Sequence, residues 1–314
     1  MKVLITGKGG QLAWELEQTK PEMINLISLS AQDLDITDQE VVEQVLRLHK
    51  PDIVINAATY TAVDKAEEDI KTAYAVNDLG SEYLALSCKD LNSKLIHVST
   101  DFVFDGTKTT PYQTDEKPNP INVYGASKLA GDIKVNDILG AQATIIRTAW
   151  VYSANGNNFV KTMLRLMTEK EHLGIVYDQV GTPTWAKGLA KMIWALIMPE
   201  GLNAGNLDVQ SSSPQALTPS SSEALLLHWT DAGVCSWYDF AVAIQELAVE
   251  KGFLDKAIPV RPIPASAYPT PATRPSFSVI DKASAEQASG VETIHWRKQL
   301  SEMMDELKHS QNNK

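Results

Sequence analysis

Val3-Leu4-Ile5-Thr6-Gly7-Lys8-Gly9-Gly10-Gln11-Leu12-Ala13 is the stretch that decides the fold. A run of strand-forming residues leads into a glycine turn, and the pattern continuing through Trp14 and Leu16 is helical. In the register Gly7-x-x-Gly10-x-x-Ala13, small residues let the backbone approach a pyrophosphate at the helix N-terminus. Glycines also simply make strand-to-helix turns, so the motif stands or falls with its surroundings. Asn25 to Leu29 reads as a second strand, placed where a first βαβ unit requires one.

The chain continues in the same alternation. Ser30 stands roughly twenty positions past the glycines, where an acidic residue would bind a ribose 2′-hydroxyl. Its small neutral side chain is expected to tolerate a 2′-phosphate. Asp35-Ile36 is placed to meet an adenine ring, although Asp35 to Asp38 also makes a good helix N-cap region. Asp52 to Asn56 is a third strand ending in Ala57-Ala58-Thr59, and Ala62 to Cys88 is helical with a break near Asp69. Lys94 to Val98 is a fourth strand running into Ser99-Thr100-Asp101, and Ala143 to Arg147 a fifth. This order predicts an α/β protein with a Rossmann-type doubly wound parallel sheet. Residues 1–150 form the expected dinucleotide-binding part. Residues 151–314 form a smaller α/β substrate region, with later segments returning to the first.

Tyr124 and Lys128 carry the candidate chemistry. A spacing of four puts phenol and ammonium on one helix face. A fixed cation would lower the phenol pKa and make Tyr124 a proton donor and acceptor near neutrality. The same spacing also arises by chance on a surface helix, so the pair gains weight only beside the nucleotide motifs.

Composition narrows the function. The 28 basic and 39 acidic residues give a net charge of −11, against nucleic-acid binding or adsorption to an anionic membrane. No apolar run is of spanning length; the best, Met192 to Met198, follows Lys191 and meets Pro199. The N-terminus runs too quickly into glycine for a secretory signal. Cys88 and Cys235 lack metal-ligand spacing, so a cytoplasmic protein with reduced thiols is expected.

Taken in order, Gly7-x-x-Gly10-x-x-Ala13, Asn56-Ala57-Ala58, Ser99-Thr100-Asp101 and Tyr124-x-x-x-Lys128 resemble the extended short-chain dehydrogenase/reductase family. Tyr60 to Glu67, Arg147 to Tyr152, Asn157 to Val160 and Tyr268 to Pro271 extend the resemblance over nearly the whole chain. It implies hydride transfer from NADPH, with NADH also accepted, to the C4 ketone of a 4-keto-6-deoxy sugar on thymidine diphosphate. Thr100, Tyr124 and Lys128 take the family's catalytic places, Lys128 also holding the nicotinamide ribose. Gly7, Gly10, Gln11, Leu12, Ser30, Asp35, Ile36, Ala57, Ala58, Thr59 and Thr61 take cofactor places. Thr100, Asp101, Phe102, Trp150, Asn158, Lys161 and Arg274 take substrate places, with Trp150 against the sugar and Lys161 and Arg274 toward phosphate.

Three departures sharpen the expectation. Dehydratases of the family carry Thr-Asp-Glu where this chain has Thr100-Asp101-Phe102, and Phe102 cannot move a proton, which argues for reduction. Lys187 stands where some relatives place a carboxylate for a metal at a dimer contact, so no metal is expected. A homodimer stays open. Asp208 to Leu226 is a serine- and proline-rich insertion expected to form a surface loop, with Ala224 to Leu227 also suited to extending the following strand. Two other functions also fit: another nucleotide-sugar reductase or epimerase, or a non-catalytic regulatory subunit like the methionine adenosyltransferase β subunit.

Overall fold

A computed structural model describes residues 1–198 and 222–312. The first half runs β1 (Lys2–Thr6), α1 (Gln11–Gln18), β2 (Asn25–Leu29), α2 (Gln39–His49), β3 (Ile53–Asn56), α3 (Val63–Ala66), α4 (Ile70–Tyr74), α5 (Gly80–Leu91), β4 (Lys94–Thr100), α6 (Val123–Leu139) and β5 (Ala143–Thr148). Then follow β6 (Val151–Tyr152), α7 (Phe159–Glu169), β7 (Leu173–Val176), β8 (Val180–Gly181), β9 (Thr184–Trp185) and α8 (Ala186–Ile197). The chain closes with β10 (Leu225–Trp229), β11 (Cys235–Ser236), α9 (Trp237–Glu250), β12 (Val260–Ile263), α10 (Ala283–Ser289) and α11 (Trp296–Asn312).

The main sheet has the order β10-β5-β4-β3-β1-β2, and every pairing in it is parallel. Parallel strands need helical crossovers, and those helices cover both faces. Alternation along β1 shows how. Val3 and Ile5 pack with Leu16 of α1 and Leu189 and Ile193 of α8, while Leu4 packs the opposite way with Leu46 of α2, Leu84 of α5 and Val135 of α6. The doubly wound α/β fold expected from the sequence is the one observed.

A separate apolar cluster holds the later elements. Val160 and Met163 of α7, Phe240 and Ile244 of α9, and Leu300 and Met303 of α11 meet there. Ser236 and Asp239 cap α9 reciprocally, each side chain serving the other's backbone N–H. The cluster is joined to the sheet through Glu15 of α1, which accepts from the Ser153 hydroxyl at 2.7 Å and the Trp185 indole at 3.2 Å.

At its far end the insertion gives way to a strand, the alternative its apolar residues 224–227 offered. Leu225 and Leu226 pair with Thr144 and Ile145 of β5 and begin β10 instead of closing a loop. Their apolar side chains suit a sheet position, which the serine-rich context masks. Residues 208–221 of that expectation lie outside the described residues. Among the described residues no helix is long and apolar enough to cross a membrane.

Candidate active site

Because the strands are parallel, their carboxyl ends share one rim. Gly7, Ser30, Ala57, Asp101 and Ala149 are the residues that follow β1 to β5 there. Gly7 has φ +77°, and a Cβ on it would lie 2.9 Å from the Ala57 carbonyl oxygen, so this turn needs glycine twice over. The first turn of α1 has no side-chain cap and no acidic residue. The N–H groups of Gln11, Leu12 and Ala13 therefore have no intrahelical acceptor and face the rim with the positive end of the helix. This uncapped cradle fits a dinucleotide pyrophosphate.

The cofactor places past β2 are less open than expected. Ser30 is bound through both its backbone N–H and its hydroxyl to Asp33, whose carboxyl those bonds hold below the ordinary carboxylate range. The neighbourhood of Ser30 is therefore anionic, which Ser30 alone did not reveal. Asp35 accepts from the Thr37 backbone and hydroxyl, and Ile36 is buried. Asp38 is the residue that caps α2.

Past β3, Ala58 N–H donates to the Thr6 hydroxyl at 3.2 Å. Thr59 Oγ1 and Tyr60 N donate to Asn77 Oδ1, and Asn77 Nδ2 donates to Ser127 Oγ of α6. Asn77 lies in a π-helical turn, Ala75–Leu79, that inserts between α4 and α5 and turns this amide toward the rim. Thr61 is exposed beyond it.

The helix carrying Tyr124 and Lys128 starts where Asn122 Oδ1 accepts from Gly125 N at 2.7 Å. A Cβ on Gly125 would come within 2.1 Å of the Phe102 carbonyl oxygen, so glycine lets α6 settle against the end of β4. That contact brings Tyr124 beside Thr100, whose side chain bears on the phenol, and sets the Phe102 ring edge-on to the Tyr124 ring at 5.5 Å. Thr100 Oγ1 also donates to Asp101 Oδ1 at 3.1 Å. Burial pushes the Asp101 carboxyl up to about 6.

The electrostatics of the pair differ from the sequence expectation. Burial pushes the Tyr124 phenol up to about 12, against a smaller opposing influence of the Thr100 side chain, instead of Lys128 drawing it down. Lys128 is itself buried and donates to the Val98 carbonyl oxygen at 2.7 Å, and burial lowers its ammonium to about 8. Helical spacing shows which residues share a face but not how dry that face is.

The substrate-side residues are tied into the scaffold. Asn158 Oδ1 caps α7 by accepting from Lys161 N, while Asn158 Nδ2 donates to Gln11 Oε1 at 2.9 Å. Lys161 Nζ donates to the Gly156 carbonyl at 2.8 Å. Arg274 makes a two-pronged pair with Asp64 at 2.7 and 2.9 Å and also reaches Thr270. Its guanidinium is thus held by a carboxylate before any phosphate arrives. Trp150, at φ +47°, stacks on Trp237 with ring centroids 3.5 Å apart. Trp237 of α9 is what backs that aromatic. Lys187 pairs with Glu306.

Some relevant residues escaped the sequence reading. Asp33 and Asn77 are polar loop and helix residues with no distinctive spacing. Asp132 did carry a signal, since it falls one further turn along the face of Tyr124 and Lys128.

Fold and site together define an NAD(P)-dependent oxidoreductase of the extended short-chain dehydrogenase/reductase class. A family model described as RmlD substrate binding domain matches residues 1–309. The chain belongs to that family, the family of dTDP-4-dehydrorhamnose reductases. It is 38% identical over 299 residues to the dTDP-4-dehydrorhamnose reductase of Burkholderia thailandensis, covering 95% of this chain and 96% of that one. The solved dTDP-4-dehydrorhamnose reductase of Clostridium acetobutylicum superposes with a TM-score of 0.85 at 37% identity, over 98% of this chain and all of the other. The Bacillus anthracis reductase, solved in complex with NADP, gives 0.84 at 33% identity over 97% of this chain and 99% of its own.

Proposed function

We propose that this chain reduces the C4 ketone of dTDP-4-dehydro-L-rhamnose to dTDP-L-rhamnose, using NADPH and also accepting NADH, in the cytoplasm. The observation that carries the reading is Tyr124, buried beside Thr100 at the carboxyl rim and holding its proton at neutral pH. Reduction needs a phenol that starts protonated, and burial keeps it so. The cofactor, when bound, supplies the hydride.

The protein's own contribution is placement and a proton. The glycine turn and the uncapped start of α1 take the pyrophosphate. Thr100 holds the carbonyl oxygen and Tyr124 delivers its phenolic proton to that oxygen as negative charge develops. Lys128, charged beside the phenol, stabilises the phenolate that remains. Trp150, backed by Trp237, offers a flat apolar face to the sugar, and Asp101 and Phe102 border it. Phe102 supplies no carboxyl, so elimination of water lacks a base. Lys161 and Arg274 face the diphosphate, the latter after sharing or releasing Asp64. Residues 1–150, with β10 returning to them, carry the cofactor, and residues 151–314 most of the substrate face.

The test is loss of NADPH absorbance with purified protein and dTDP-4-dehydro-L-rhamnose. Wild-type turnover is expected, with Tyr124→Phe binding cofactor normally but turning over roughly 10²–10⁴-fold more slowly. Cofactor binding by wild type without turnover would remove this substrate.

A further inference from the structure

Behind Lys128 lies a buried polar chain that the reaction above does not use. His97 of β4, Asp132 of α6 and Arg147 of β5 are each 4% exposed or less. Asp132 Oδ2 accepts from Arg147 Nε at 3.3 Å, and Asp132 Oδ1 faces His97 Nε2 at 3.4 Å. The other nitrogen of His97, Nδ1, lies 3.2 Å from Asn56 Nδ2. Asn56 Oδ1 in turn accepts from the Thr6 hydroxyl at 2.8 Å, and the Thr6 oxygen accepts from Ala58 N–H.

These contacts fix the protons. Thr6 accepts from Ala58 N–H and donates to Asn56 Oδ1, which leaves the amide N–H of Asn56 facing His97 Nδ1. A neutral His97 then carries its proton on Nε2, directed at Asp132 Oδ1. Neither atom has another hydrogen-bond partner, and at 3.4 Å the two make a close polar contact that does not reach full hydrogen-bond geometry. Burial and the nearby Lys128 cation both hold His97 neutral. Against the cost of burial, His97 and the Arg147 and Lys128 cations hold the Asp132 carboxyl below its ordinary range, so Asp132 is an ionised carboxylate with a neutral imidazole on one side and a permanent cation on the other.

We propose that Asp132 is a positioning residue for the reduction: clamped between His97 and Arg147, it keeps Lys128 protonated and seated on the Val98 carbonyl through each turnover. The inference rests on the reductase reading for its kinetic meaning. The charges enforce it. Lys128 and Arg147 are two buried cations, and Asp132 is the anion that offsets them. Without it, the guanidinium cannot release a proton, so the ammonium must. Burial already weakens the Lys128 ammonium, and Asp132 is the group that acts the other way.

The remaining charged groups around α6 leave this assignment standing. Asp78 and Glu82, on the π turn and α5, face Lys134. Asp101 bears on Tyr124, and Glu67 accepts from Val123 N. His228 of β10 is buried and lies near Arg147, and burial lowers it to about 3, so it is neutral.

The experiment is the pH profile of kcat for wild type, Asp132→Asn and Asp132→Glu, with the Michaelis constant for the sugar followed alongside. In wild type kcat should fall at high pH as Lys128 loses its proton. Asp132→Asn should move that fall to lower pH by about one unit or more, a tenfold change in proton affinity per unit, with little change in the Michaelis constant. Asp132→Glu should largely restore its position. A uniformly lower kcat with the limb unmoved would reduce Asp132 to a packing role and overturn the proposal. A second measurement needs no variant at position 132. The ¹⁵N signal of the Lys128 side chain, assigned by its loss in Lys128→Met, should report an ammonium at pH 7, and a neutral amine there overturns the proposal. That titration is independent of turnover, so a failed substrate assignment leaves it decisive.

Discussion

The Ser30 hydroxyl donates to the Asp33 carboxylate at 2.7 Å, and the Ser30 backbone N–H reaches the same oxygen at 3.0 Å. A negative charge is thereby fixed at the end of β2, where a ribose 2′ substituent would approach. Lys8 of the glycine turn acts on the same carboxylate and partly offsets it. Asp33→Asn should lower the Michaelis constant for NADPH relative to NADH, by about two- to fivefold for one solvent-exposed charge. An unchanged ratio would put the 2′-phosphate elsewhere.

Gly125 gives a steric test of the site. An alanine Cβ would meet the Phe102 carbonyl oxygen at 2.1 Å, a contact that only a shift of α6 or of the end of β4 relieves. Either shift pulls Tyr124 from Thr100. Gly125→Ala should cost on the order of 100-fold in kcat, with cofactor affinity far less affected. Near-normal turnover would show that the Tyr124–Thr100 contact tolerates displacement.

Asn158 links the two halves with one amide. Asn158→Ala removes both the cap of α7 and the bond to Gln11, and should lower stability by ~1–2 kcal/mol. Asn158→Asp keeps the capping oxygen but loses the Nδ2 donor to Gln11 Oε1 and to the Ser153 carbonyl. Denaturant melts should rank it between wild type and alanine, and equal losses for both variants would put the whole effect on the two Nδ2 bonds rather than on the cap.

Asp231 predicts the pH dependence of stability. It is buried, accepts from Trp185 N at 3.0 Å, and burial pushes its carboxyl up to about 8. Between about pH 4 and 8 the unfolded chain has released this proton and the folded chain retains it, so stability falls as pH rises. Asp231→Asn keeps an acceptor for Trp185 and has no proton to lose. Its melting temperature should be flatter than that of wild type across this range, the gap widening toward pH 8 to the order of a few kcal/mol. Parallel curves would place the slope on other groups.

The sheet was readable in the sequence because strand burial and helix amphipathicity leave short-range periodicities. Tyr124 and Lys128 were readable because both sit on one helix. Contacts between distant segments left no such trace. Arg274 looked free for phosphate until folding placed Asp64 against it from 210 positions away. The Asp132 clamp draws His97 and Arg147 from two other strands, and the direction of the Tyr124 shift depends on burial that no spacing encodes. The start of β10 was legible only as an alternative, because its first two residues follow directly on a serine-rich run.

β10 lies at one end of the sheet and covers β5 from outside. Synthesis proceeds from the N-terminus, so β5 is complete at Thr148 while its partner waits for Leu225. Until then the nascent chain presents the hydrogen-bonding edge of a buried, apolar strand, the kind of surface that recruits another unfinished chain. A stalled or truncated product ending before β10 should therefore aggregate even with its nucleotide turn and Tyr124 helix intact.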